Sequence, residues 1–201
     1  MENAIRSRAT GKKVINGEYE TRKVLLKVGT DSVTKYFKER RGMQRRYLTE
    51  KAALSRLKGI AGVPELIRSA DASHLLEMSR LPGSSVTALN ERNLQGLATI
   101  VEKMLSAGVA RHSLPIRDVL VDAEGNVGLV DFERATLRSR IWRPDWAIAK
   151  AVTRYHLYRL ISEHQPQLLK PEQWRLVNIG QKLRRAVSFF HAGTHSLRKP
   201  A

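Results

Sequence analysis

Apolar positions along this chain change period several times, and each change marks an element. From Lys23 to Val28 and from Ser32 to Lys38 they alternate, with Val33, Lys35 and Phe37 on one face and Gly29-Thr30-Asp31 between the runs. Period two around a turn predicts a β-hairpin. From Gln44 to Leu57, Tyr47, Leu48, Ala53, Leu54 and Leu57 form a helical stripe. Glu50 lies one turn before Leu54, on the side that faces the core. Gly59 to Pro64 ends that helix, and Glu65 to Ala70 with Ser73 to Met78 predicts a second hairpin. Arg80-Leu81-Pro82-Gly83 then interrupts the pattern as a hinge does.

Beyond the hinge, Asn90 to Ala107 carries Leu94, Leu97, Ile100, Val101, Met104 and Leu105 on one face, with Gly108 as a C-terminal stop. It predicts an amphipathic helix. Two short apolar runs follow, Val119-Leu120-Val121 and Val127 to Val130, around a turn at Ala123 to Asn126. This strand-turn-strand brings Asp118 and Asp131 to its ends, where two carboxylates can hold a metal ion. Helices are predicted at about Asp145–Ser162 and Pro171–Phe190, with Pro166 in the link and a flexible basic tail from His195 to Ala201.

At 201 residues and 42% hydrophobic composition the chain can bury a core as one domain or two small lobes. It has no cysteine, so disulfides and thiolate metal sites are excluded, in keeping with a cytoplasmic location. Met1 to Gly11 has no apolar signal-like core, and no run approaches the ~20 apolar residues of a membrane span. Peripheral attachment to the inner face of a membrane stays open. The net charge of +17 is unevenly distributed. Residues 1–50 hold 13 basic and 6 acidic side chains, 51–133 hold 9 and 10, and 134–201 hold 14 and 3. A near-neutral centre between basic ends points to an anionic partner: a glycolipid, a membrane surface, an acidic protein or nucleic acid. With 6% aromatics and no recognition motif, nucleic acid is the least favoured of these.

The order of these pieces resembles the protein kinase-like fold, above all its small RIO-type and lipopolysaccharide-kinase-type members, over roughly residues 23–146. The resemblance rests on Lys35 in Val33-Thr34-Lys35, Glu50 in Tyr47-Leu48-Thr49-Glu50, Glu77-Met78 before Leu81-Pro82-Gly83, and Arg111-His112-Ser113 with Asp118 and Asp131-Phe132-Glu133. It implies an α+β, two-lobed fold, with a small antiparallel-sheet lobe over residues 1–80 and a truncated helical lobe over 81–201. Lys35 and Glu50 are then the ion pair that holds nucleotide phosphates, and Glu77 and Met78 border the linker that binds adenine. Asp118 and Asp131 hold Mg²⁺, and Asp145 braces the catalytic loop. ATP and Mg²⁺ are the implied cofactors. Asp145 after Pro144 is equally well placed as a helix cap.

Three departures bear on chemistry. Ser113 stands at the position of the catalytic aspartate, and a neutral hydroxyl cannot accept the substrate proton as a carboxylate does. His112 beside it is a substitute base, or a loop histidine, while Ser113 itself is a phosphate acceptor or merely structural. No glycine-rich phosphate loop precedes Lys35; Gly11 and Gly17 are isolated, and Asn16-Gly17 reads as a turn. Glu133 replaces the glycine of the metal motif and restricts the backbone there. The resulting expectation is an atypical kinase-like phosphotransferase acting on an anionic envelope glycolipid or a protein hydroxyl. A nucleotide-binding pseudokinase is the alternative, and a nucleic-acid-binding protein the third.

Overall fold

The structure is a computed structural model that describes residues 17–139, 141 and 144–182. The tail expected at 195–201, the part of the predicted second helix that lies beyond residue 182, Gly11 and Asn16 lie outside the described residues. Five antiparallel strands form the first layer: β1 (Glu18–Glu20), β2 (Val24–Val28), β3 (Ser32–Phe37), β4 (Leu66–Ala70) and β5 (Leu75–Ser79). Their order is β1-β2-β3-β5-β4, so β3 and β5 are inner strands. Both predicted hairpins are present, with Lys35 paired to Leu26 on one side and Leu76 on the other. The period-two reading put Lys35 and Phe37 on one face, and both are buried. The short β1 has no apolar alternation to reveal it.

Helix α1 (Met43–Arg56) buries Tyr47, Glu50, Ala53 and Leu54. Tyr47 sets its height, because its ring meets Phe37 edge-on at 5.7 Å and His74 at 5.3 Å, and its hydroxyl donates to Asp71. Glu50 is therefore held one turn further along the same buried face, over β3.

After the linker come β6 (Ser84–Ser85), α2 (Glu91–Ser106), β7 (Val109–Arg111), a 3-10 turn (Ile116–Asp118), β8 (Val119–Val121), β9 (Val127–Leu129) and β10 (Ala135–Leu137). Helix α3 (Pro144–His164) follows, and residues 171–182 form α4. Strands β6, β8 and β9 make one small sheet, while β7 and β10 make another. Asn90 and Asn93 cap α2 reciprocally, and the Asn93 side chain also donates to Gly125 O at 3.0 Å. One cap thus ties α2 to the β8–β9 turn. Gly83 at φ 91° lets the linker press against the backbone of Val121, where a Cβ would collide. A bond from Leu129 N to Gly62 O, 2.7 Å, joins β9 to the loop after α1. No described helix is long and apolar enough to cross a membrane.

Candidate functional site

Three elements bring charge to one buried point. Lys35 Nζ, from β3, donates to Glu50 Oε2 of α1 at 2.6 Å and to Asp131 Oδ1 at 3.1 Å, and lies 3.8 Å from Glu133 Oε2. The side chains of Lys35 and Glu50 are 7% and 2% exposed. Glu50 Oε1 also accepts the Phe132 N–H at 3.2 Å, which ties α1 directly to the segment after β9. Burial alone would lower the Lys35 pKa, but Glu50, Asp131 and Glu133 outweigh it and raise it, so the ammonium stays charged. Burial pushes Glu50 up against the pull of Lys35.

Asp131 has φ 70°, one of two non-glycine residues among those described with a left-handed backbone. That twist sends Phe132 into the core at 1% exposure while leaving the Asp131 side chain 45% exposed. Burial would raise the pKa of Asp131, yet Lys35 and Arg111 prevail and hold its carboxylate below the usual range.

Arg111, read from sequence only as a motif position, organises the other side. It is 5% exposed, donates from Nη2 to Asp118 Oδ2 at 2.5 Å and from Nη1 to Val130 O at 2.8 Å, and lies over the Phe132 ring at 5.4 Å. Val130 N donates to Asp118 O at 3.0 Å, so Asp118 and Asp131 are locked into one frame. Burial raises the Asp118 pKa first, opposed by Arg111 and reinforced by the Asp131 charge.

The loop is braced differently from expectation. Asp145 is exposed in the first turn of α3, where Pro144 is the first helical residue, so Asp145 is neither a buried brace nor the cap before the helix. Thr153, wholly buried on α3, takes the bracing position. Its Oγ1 accepts the Arg111 N–H at 2.9 Å and sits 2.8 Å from Arg111 O. A threonine inside a helix gave no sequence signal.

His112 and Ser113 are both exposed, and His112 Nε2 lies 2.6 Å from Thr136 Oγ1 on β10. Glu77 and Met78 are inner-strand residues, paired to β3 and β4. The Glu77 carboxylate accepts from Ser32 Oγ and Arg68, and Met78 packs in the core. Neither side chain is free, and the chain leaves the sheet only after Ser79. At the β1–β2 turn the N–H groups of Lys23 and Val24 both donate to Thr21 Oγ1 at 3.1 Å. These two amides are closed off within the turn. Sequence reasoning also missed Arg46, one turn before Glu50 on α1, whose Nε lies 3.9 Å from Glu133 Oε2. An i, i+4 search from Glu50 would have found it.

No family model and no curated protein matches the sequence. Solved structures do match in fold. A 2.2 Å crystal structure of WbdD superposes with TM-score 0.54 at 17% identity, over 71% of this chain and 37% of that one. A co-crystal of WbdD with the kinase inhibitor LY294002 gives TM-score 0.52 at 20% identity, over 74% and 38%, and monomeric WbdD gives 0.51 at 18%, over 80% and 41%. The chain has a kinase-like fold. It spans about two fifths of the WbdD chains, and WbdD is itself described as a bifunctional kinase-methyltransferase.

Proposed function

We propose that this chain is an atypical phosphotransferase that uses ATP and Mg²⁺. The observation that carries the reading is the buried Lys35–Glu50 pair, 2.6 Å long, with Asp131 3.1 Å from the same ammonium. A lysine held this way presents a fixed positive charge to phosphate, and phosphoryl transfer depends mainly on positioning and charge neutralisation. Glu50 orients Lys35, while backbone groups of the linker that follows Glu77, Met78 and the end of β5 hold the base. The fold supports two functional lobes, residues 1–80 and 81–201, with the nucleotide between them.

The donor set suits Mg²⁺, a hard cation that prefers oxygen: Asp131 has an exposed carboxylate, and Asp118 has one oxygen beyond the one bonded to Arg111. When bound, the ion would neutralise charge on the phosphate oxygens. Asp118 and Asp131 would hold it, and Arg111 would keep Asp118 in place. His112 is the group able to take the acceptor proton near Ser113. The basic ends of the chain favour an anionic envelope glycolipid as acceptor, with a protein hydroxyl as the other candidate, at the inner face of a membrane.

A second reading, a nucleotide-binding pseudokinase, is favoured by one observation. The position of the catalytic aspartate is an exposed, neutral Ser113, and the adjacent His112 is engaged with Thr136. Thermal melting with ATP and Mg²⁺, run beside transfer from γ-labelled ATP to an envelope extract, separates the two. Stabilisation with transfer supports the phosphotransferase, stabilisation alone supports the pseudokinase, and neither rejects both.

A further inference from the structure

Two cations converge on one carboxylate oxygen. Glu133 Oε2 lies 3.8 Å from Lys35 Nζ and 3.9 Å from Arg46 Nε. The three side chains are 12%, 7% and 14% exposed respectively. At these separations Glu133 makes no hydrogen bond to either partner. Lys35 is satisfied elsewhere, by Glu50 and Asp131. Arg46 is not, because its Nε and Nη2 are buried and make no hydrogen bond. A guanidinium presents a planar fork suited to two oxygens of a carboxylate or phosphoryl group, and buried donors without acceptors are unfavourable.

One carboxylate oxygen of Glu50, Asp131 and Glu133 each lies within 4.8 Å of the others, which invites a metal reading. The ammonium of Lys35 already sits among them. What this spot lacks is acceptors for Arg46, so the chemistry calls for an anion and not another cation. The chain also has no glycine-rich loop, and the β1–β2 turn has two of its amides bonded to Thr21.

We infer that the space between Lys35 and Arg46 is a phosphoryl seat that the Glu133 carboxylate closes in this structure, and that an incoming phosphoryl group displaces Glu133 to take both cations. This deepens the nucleotide reading and rests on it. Arg46 becomes a phosphate ligand from α1, and Glu133 an internal competitor that an incoming anion must move.

The test measures binding of ATP, ADP, adenosine and inorganic tripolyphosphate to the full chain by calorimetry, without divalent metal. Glu133→Gln removes the competing charge, so ATP and tripolyphosphate bind at least threefold tighter with adenosine unchanged. Arg46→Gln weakens both about tenfold or more, again sparing adenosine. Arg46→Lys keeps the charge without the fork, gives an intermediate loss, and serves if the glutamine variant fails to fold. The seat is refuted if Glu133→Gln leaves ATP binding unchanged or weaker, or if the Arg46 variants shift ATP and adenosine equally. Binding of tripolyphosphate without adenosine would reject the nucleotide reading while keeping the seat. Binding of ATP and adenosine without the split would do the reverse, and no binding of any ligand would reject both.

Discussion

Removing Lys35 alone costs far more than removing Lys35 and Glu50 together. At 2.6 Å and an effective dielectric of about 20, the attraction between the two charges is roughly 6 kcal/mol. Desolvation of each ion costs several kcal/mol, so the intact pair contributes little net stability while either half left alone is costly. In Lys35→Met the Glu50 carboxylate, 2% exposed, keeps only the Phe132 N–H at 3.2 Å among its described partners. The expected loss is about 3–5 kcal/mol, or roughly 6–20 °C in melting temperature for a chain of this size. Glu50→Leu is milder, because Lys35 retains Asp131 at 3.1 Å and Glu133 at 3.8 Å. The double variant, with two apolar side chains facing each other, should recover most of the Lys35→Met loss. Urea denaturation of the four proteins, followed by tryptophan fluorescence, closes the cycle. A double variant whose loss equals the sum of the singles within about 0.5 kcal/mol would refute the claim that these charges are coupled and buried.

Three further outcomes follow from the same geometry. The Asp131 carboxylate has a lowered pKa in the fold, so its stabilisation is present above the ordinary carboxylate pKa of about 4 and is lost as pH falls through the lower folded value. The stability gap between the native chain and Asp131→Asn should therefore stay constant from neutral pH down to that range and shrink only below it; shrinkage beginning near pH 6 in urea titrations would contradict this. Thr153→Val keeps shape but strips the buried Arg111 N–H of its acceptor, with an expected loss of about 1–3 kcal/mol that an unchanged denaturation midpoint would disprove. Ser113→Asp restores a carboxylate at the expected base position, and transfer from γ-labelled ATP should rise above the native level; an equal or lower rate would show that the exposed loop does not face the acceptor.

Much of the fold was legible because its elements carry strong local signals. The alternation through Lys35 and Phe37 and the stripe through Tyr47, Glu50 and Leu54 fixed β3, α1 and the face each buries. The short strands β1, β6, β7 and β10, of two or three residues, are set by their partners across the sheets, and no local period marks them. The candidate site divides in the same way. Lys35, Glu50 and Asp131 could be read from motif order, and the structure brings them together. Arg111 and Thr153 could not, because their importance comes from contacts across 7 and 42 residues of sequence, and Arg46 was within reach of an i, i+4 search from Glu50 although its contact to Glu133 was not. Glu133 was visible only as a missing glycine, and its carboxylate acquires meaning from the two cations around it. The bracing expected from Asp145 passed to Thr153, since Asp145 stays at the surface in the first turn of α3 while Thr153, about two turns further on, is wholly buried.

The central claim concerns phosphoryl transfer at the Lys35–Asp131 site, and one measurement bears on it most directly. Purified protein is incubated with γ-labelled ATP and Mg²⁺ together with an anionic envelope glycolipid fraction, beside Lys35→Met and Asp131→Ala. Label should pass to the glycolipid, or to a protein hydroxyl, with the native chain and fall to background with both variants. Transfer that survives both substitutions, or a native chain that neither binds the nucleotide nor transfers label, would contradict the claim.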